Sequence, residues 1–188
     1  MNRTEKLIVD AFEQLLAEKP LSKITVREIV DRCGVNRNTF YYHFQDIPTL
    51  LERIVKEKAD EILQNHGQPG SLVDCIHLMI QYCASYRRSI LHIYRSVQRE
   101  VFLQTLEHVA LYVVEEFVTA ATEDLSIRAE DRQLLIRYYK CTLIGVILDW
   151  LDAGMNYDLP AASARVCDLF AGSSRRAFLK CAAEQPQL

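Results

Sequence analysis

The sequence predicts an all-α fold of about nine helices, with a small N-terminal three-helix unit followed by a larger helical one. Three observations lead there. Apolar residues recur at intervals of three and four along nearly the whole chain. Beyond Ser71 no alternating strand pattern of any length appears. Short polar or Gly/Pro signals, the run NHGQPGS at 65–71, Gly154 and Pro160 among them, punctuate the periodic stretches. With 188 residues, 49% of them hydrophobic, the chain has ample material for a buried core.

The first helix is carried by Ile8, Ala11, Phe12, Leu15 and Leu16, one apolar stripe that must pack on something. Pro20 and the SKIT segment end it. Val26, Ile29, Val30 and Cys33 then mark a short second helix, with Thr25 as N-cap and Glu28 three residues on completing a capping box. Gly34 follows the last periodic residue, where a left-handed C-terminal conformation is easily reached only without a Cβ. Asn36 caps a third helix, whose Phe40 and Phe44 point inward together. A bundle of about 45 residues is close to the minimum that folds without outside support. A fourth helix, from about Asp46 to Asn65, supplies it through Leu50, Leu51, Ile54, Val55, Ile62 and Leu63, with Asp46 as cap and Pro48 in its first turn. The expected division is residues 1–48 for the small unit and 49–188 for the rest.

Further helices are expected at 71–86, 88–95, 98–123, 129–153 and 160–182. From Cys141 to Leu148 the sequence is apolar around the whole helix circumference, which calls for burial on one side by the domain core and on the other by a partner subunit. In the last helix Val166, Leu169, Phe170, Ser173 and Ala177 form a stripe, and Gly172 is expected to let helices approach closely. The last two helices of each subunit would then build a four-helix interface about a twofold axis.

Composition excludes several classes. No run of eighteen apolar residues occurs, and the start, MNRTEKLIVDAFEQLL, lacks the apolar stretch of a signal peptide, so a cytoplasmic protein that does not enter membranes is expected. The six cysteines (33, 75, 83, 141, 167 and 181) show no CxxC and no zinc spacing with histidine. They read as small buried hydrophobes, and neither a metal site nor a cofactor is expected. There is no Gly-rich phosphate loop, no GxSxG, no HExxH and no recognisable carboxylate pair, so catalysis is not expected and no catalytic residue is assigned.

The outward face of the third helix carries the chemistry. Asn38 and Tyr42 point away from the phenylalanines, with Thr39 and Tyr41 beside them, and no carboxylate lies among them. Amide, hydroxyl and phenol groups flanked by Arg37 and His43 can donate to phosphate oxygens and touch base edges in the major groove of DNA. The net charge of −3 is an apparent objection, and residues 1–50 hold seven Lys/Arg against seven Asp/Glu. Distribution answers it: Lys23, Arg27, Arg32, Arg37 and His43 surround the reading helix, whereas Glu5, Asp10, Glu13 and Glu18 belong to a first helix that can turn its polar side away. A modest number of phosphate contacts implies a shallow salt dependence.

The run from Ile8 through Leu51, with its Thr25, Ile29, Gly34, Val35, Thr39, Tyr41, Tyr42, His43, Phe44 and Leu50, resembles the DNA-binding domain of the TetR family of bacterial transcriptional regulators. The resemblance implies that Thr25 and Tyr42 contact phosphates, with Tyr41 and His43 supporting the same grip and Arg27 nearby. Asn36, Arg37, Asn38 and Thr39 would face the bases. Many members carry a phosphate-binding lysine where this chain has Ile47; either Gln45 substitutes weakly for it or this phosphate contact is absent. The family fold implies a homodimer through the last two helices, so that paired readers meet an inverted-repeat operator about one helical turn apart.

The middle helices hold His77, Tyr82, Tyr86, His92, Tyr94, His108, Tyr112, Glu116, Tyr138, Tyr139 and Trp150, more polar and aromatic groups than a plain core uses. In the resembled family this region forms an effector pocket, which implies a ligand-binding and dimerisation domain here, its pocket lined by some of Tyr82, Tyr86, Tyr112, Tyr138 and Trp150. The expected function is a repressor released from its operator by a small molecule. The alternative is a regulator or activator controlled by a protein partner, since two segments, FQDIPTLL and YYKCTLIGVILDWL, resemble a Gram-positive subgroup in which the effector is often unassigned.

Overall fold

A computed structural model of the chain describes residues 2–65 and 72–183, and leaves the side chains of residues 62, 63, 65 and 72–76 undescribed. Among the described residues it is entirely helical. The first helix, α1 (Arg3–Glu18), opens on Asn2, whose side chain accepts from the Thr4 amide while Glu5 reaches back to the Asn2 N–H. The predicted stripe of Ile8, Ala11, Phe12, Leu15 and Leu16 is buried, with Val9 beside it. Burying each large member contributes about 1.5–3 kcal/mol. A single 3-10 turn at Leu21–Lys23 leads to α2 (Val26–Cys33), where Thr25 and Glu28 form the expected capping box. Gly34 ends α2 at φ +70°, and Asn36 caps α3 (Arg37–His43) through the Thr39 amide. Asp46 accepts from the Thr49 amide at 2.8 Å and opens α4 (Ile47–Asn65).

Six helices follow: α5 (Leu72–Ser85), α6 (Arg87–Tyr94), α7 (Arg99–Ala121), α8 (Ala129–Asp152), α9 (Leu159–Leu169) and α10 (Ser173–Ala183). The last two correct the sequence reading, which expected one helix over 160–182. Gly172 sits at φ +75° with open space where a Cβ would stand, so within the chain it serves the turn between two helices and no close approach of one to another. The apolar stripe ran through this turn without a break in its period, which hid it.

Two compact units arise, one from Met1–Ile62 with Cys83–Thr105 and the other from Leu63–Tyr82 with Leu106–Leu188. In the first, α1 packs against α2 and α6. The carbonyl of Leu16 would bond the amide four residues on, but that residue is Pro20, which has no N–H. His92 of α6 fills the gap, its Nδ1 lying 2.7 Å from the Leu16 oxygen. Lys58 of α4 joins the same unit, 3.8 Å from Glu13 and over the Tyr86 ring at 5.4 Å. Burial raises the Glu13 carboxyl against the pull of this lysine.

The second unit is centred on a cluster of three rings, Phe117 of α7, Tyr139 of α8 and Phe178 of α10, with centroids 5.6–6.1 Å apart. Leu143, Ile147 and Leu151 extend the core along α8. Arg175 of α10 donates to the Ala121 carbonyl and to both oxygens of Asp124, closing the end of α7. The turn after α8 is held by Trp150 Nε1, which donates to the Tyr157 carbonyl at 3.0 Å, while the Tyr157 hydroxyl donates to Asp149 at 2.7 Å.

The cysteines also depart from expectation. Of the five with described side chains only Cys83 is buried; Cys33, Cys167 and Cys181 are half-buried and Cys141 is exposed. Apolar neighbours in sequence do not ensure burial on a helix whose outer face is itself apolar. Cys75, Ile62 and Leu63 lie outside the described side chains.

Candidate nucleic-acid interface

The core phenylalanines set the orientation of α3. Phe40 is fully buried and Phe44 nearly so, 6.0 Å apart by ring centroid. Their burial turns Arg37, Asn38, Tyr41 and Tyr42 to the surface, and Tyr42 is 84% exposed. Arg37 Nη2 donates to the Tyr41 hydroxyl at 3.1 Å, and the guanidinium lies 5.5 Å from the ring centroid. The pair holds a positive charge and an aromatic edge together on the outer face. Asn36 and Thr39 are drawn into the cap: the Asn36 side-chain oxygen accepts from both the Thr39 amide, at 2.8 Å, and its hydroxyl, at 3.0 Å. Asn38 stands exposed beside them.

Thr25 is exposed at the start of α2, with its hydroxyl donating to Glu28 Oε2 at 2.9 Å and accepting from the Glu28 amide. Glu28 in turn takes a hydrogen bond from Lys19. That bond first, and the Thr25 hydroxyl second, pull the Glu28 carboxyl down to about 2. A phosphate contact by Thr25 would therefore have to draw the hydroxyl proton away from Glu28.

Two expectations about charge are corrected. His43 does not flank the face as an open cation: its side chain is 8% exposed and its Nδ1 lies 3.5 Å from Glu5 Oε1. Position 43 is three residues beyond Phe40, on the border of the buried stripe, which accounts for its cover. Nor does α1 turn all its acids away. Glu18 binds Arg32 through two parallel bonds of 2.7 and 2.8 Å, which lower the carboxyl and raise the guanidinium. Arg27, largely exposed, lies 3.6 Å from Asp31. The cations around α3 are thus partly spent on neighbours, while Lys23 and Arg37 stay at the surface. Sequence spacing could not show the Glu5–His43 and Glu18–Arg32 pairs, because each joins two different helices.

The five residues expected at an effector pocket fall in different environments. Tyr86, exposed, belongs to the first unit and carries Lys58 over its ring. The other four belong to the second unit. There Tyr82 is half-buried, Tyr112 is partly exposed, Tyr138 is 65% exposed on the outer side of α8, and Trp150 is buried in the turn to Tyr157. Among the described residues no group of three or more His, Cys, Asp or Glu could hold a metal ion, and no helix is long and apolar enough to cross a membrane.

Comparison with known proteins gives this geometry its context. Residues 8–54 match the bacterial regulatory proteins of the tetR family, and residues 71–172 match a transcriptional regulator C-terminal region. An uncharacterized HTH-type transcriptional regulator of Haemophilus influenzae is 34% identical over 73 residues, 38% of this chain and 36% of that protein. The HTH-type transcriptional regulator EthR of Mycobacterium tuberculosis is 38% identical over 64 residues, 32% of this chain and 29% of that protein. The chain thus aligns with about a third of the length of these curated relatives. Among solved structures, the dihydroxyacetone kinase operon activator DhaS superposes with a TM-score of 0.74 at 16% identity, covering 93% of this chain and 97% of that one. The fatty acid degradation regulator FadR of Bacillus halodurans superposes with a TM-score of 0.67 at 21% identity, covering 93% and 98%. At these identities the superpositions establish the fold alone. The two sequence matches go further: the chain belongs to the TetR family of bacterial transcriptional regulators, proteins that regulate transcription and are not enzymes.

Proposed function

We propose that the chain is a cytoplasmic homodimer that reads an inverted-repeat operator in double-stranded DNA and represses transcription until a small-molecule ligand releases it. The observation that carries the DNA reading is the outer face of α3, where Arg37, Asn38, Tyr41 and Tyr42 are exposed without a carboxylate among them. The reading unit lies within residues 1–48 and the regulatory and dimerising part within 49–188. Asn36, Arg37, Asn38 and Thr39 would meet base edges, and Thr25, Arg27, Tyr41 and Tyr42 the backbone, with Asn36 and Thr39 first giving up part of their cap and His43, covered beside Glu5, supporting the grip from behind. One such helix spans only a few base pairs, so a dimer is needed for an operator of useful length.

The apolar outer surface of α8 and α9 supports the dimer. Tyr138 is 65% exposed, and Val166, Leu169 and Phe170 are 53%, 63% and 66% exposed. Val166, Leu169 and Phe170 stand at intervals of three and four and so share one face of the helix end, and exposed large apolar side chains grouped in that way favour an interaction surface there. The effector would sit within the second unit, among some of Tyr82, Tyr112, Tyr138 and Trp150 and without Tyr86, which belongs to the first, and its binding would raise the melting temperature of the free protein.

Selection of bound duplexes from a random pool tests the reading. Enriched sequences with dyad symmetry are expected. Tyr42→Phe should weaken all of them about equally, whereas Asn38→Ala should change which sequences win. Enrichment without symmetry, or no enrichment, would overturn the dimeric reader. A second reading is activation under control of a protein partner: the dhaKLM operon transcriptional activator DhaS of Lactococcus lactis, an activator by name, is 27% identical over 79 residues, 42% of each chain. Transcription from a template carrying the selected site separates the two, falling for a repressor and rising for an activator.

A further inference from the structure

The N-terminal turn of α1 lies against the reading helix, at the edge of the face proposed to meet DNA. Glu5, in that first turn, is 3.5 Å from His43, the last residue of α3. The charge of Arg53 on α4 also acts on Glu5. Three helices therefore converge at this point. Three acids of α1 and of α4 or its cap are already engaged. Glu5 accepts from the Asn2 amide, which lowers its carboxyl; Asp46 accepts from the Thr49 hydroxyl and amide; Glu57 holds Arg53 at 2.6 Å. Arg3 and Lys6, in the same turn as Glu5, are exposed and, among the described residues, paired with no acid. They differ in this from Arg32, which Glu18 holds by two bonds, and from Arg27 beside Asp31.

Resting on the DNA reading above, we propose that Arg3 and Lys6 extend the interface along the duplex and grip backbone phosphates beside the stretch that α3 reads. They would supply there the charge that Ile47 at the start of α4 does not. The chemistry asked of them is simple: two exposed cations on a helix end tied through Glu5 to the reading helix, facing a polyanion whose phosphates recur every few ångströms. Such contacts carry no sequence information, so they add affinity and salt dependence without changing preference.

The test is the slope of log affinity against log salt for the full chain on its selected operator. In the Arg3→Ala/Lys6→Ala double variant the slope should become shallower by about 1 for each phosphate no longer gripped, about 2 in total, with the same sequences enriched from a random pool. The Arg3→Lys/Lys6→Arg variant keeps both charges and should restore the wild-type slope. Both positions are exposed, and an unchanged melting temperature shows that folding is intact. Wild-type binding with an unchanged slope in the double variant overturns the extended grip and leaves the α3 reading standing. A wild-type chain that enriches no duplex overturns the reading itself, and the extended grip with it.

Discussion

The imidazole of His92 donates from Nδ1 to the main-chain carbonyl of Leu16 across 76 residues of sequence, at 2.7 Å. A carbonyl oxygen only accepts, so Nδ1 carries a proton whether the ring is neutral or charged. Pro20 cannot supply the amide that α1 would otherwise use here, and the histidine sits where a cation also complements the helix C-terminus. The polar and aromatic groups of the middle helices suggest ligand chemistry; for His92 the structure assigns a place against the end of α1.

Replacing His92 with Leu should leave the Leu16 carbonyl in a partly buried site without its donor, at a cost of about 1–3 kcal/mol. Gln, which can donate at similar reach, should recover part of the loss. Urea melts of the three proteins measure this. A His92→Leu midpoint equal to that of wild type would mean that solvent replaces the histidine at no cost.

Acid should unlock the start of α2. The Glu28 carboxyl is held at about 2 against an ordinary 4.5, first by Lys19 and then by Thr25. Its folded value is depressed, so its stabilising effect is fully present above about 4.5 and is lost as the pH falls toward 2. Glu28→Gln, which retains a capping-box side chain, should flatten the acid limb of stability between pH 4.5 and 2. Parallel urea-midpoint curves for the two proteins over that window would contradict the assignment.

The parts of the fold that could be read from sequence are those whose partners are sequence neighbours. The Thr25–Glu28 box, the Asn36 cap, Asp46 with Thr49 and the left-handed Gly34 each complete themselves within about four residues. The Ile8 to Leu16 stripe likewise needs only its own period. Pairings between helices left no such trace: Glu18 with Arg32, Glu5 with His43 and His92 with Leu16 depend on how helices pack, which spacing within one helix does not encode. His43 was therefore expected as an open cation and is mostly covered. Gly172 failed for the opposite reason, since its neighbours keep helical period on both sides of a turn that Phe170 opens and the left-handed Gly172 closes.

Gly34 offers a clean test of backbone conformation without steric confusion. At φ +70° it has nothing within 4 Å of an added Cβ, so Ala meets only the intrinsic cost of the left-handed region. That cost is about 1–2 kcal/mol. Asn, which tolerates this region better, should fall between Gly and Ala, and Val should be worse than Ala. Thermal melts that rank Ala equal to Gly would show that the turn relaxes to a different conformation.

The proposed dimer links two observations that are separate in sequence. Cys141 is exposed on α8, while Leu169 and Phe170 are exposed at the end of α9. Cys83 is the contrasting thiol, buried and pushed up to about 12, so it should resist alkylation in the native protein. If both surfaces join the dimer, Cys141 should react quickly in dilute protein and slowly at concentrations where the dimer forms. The Leu169→Glu/Phe170→Glu variant places charges on that surface and, because both positions are exposed, should fold normally. It should sediment as a monomer at concentrations about 100-fold above the wild-type dissociation constant, since desolvating two unpaired carboxylates costs several kcal/mol, and its Cys141 should stay reactive throughout. Concentration-independent alkylation in the wild type would place the subunit contact elsewhere than α8. A variant that remains dimeric would remove α9 from it.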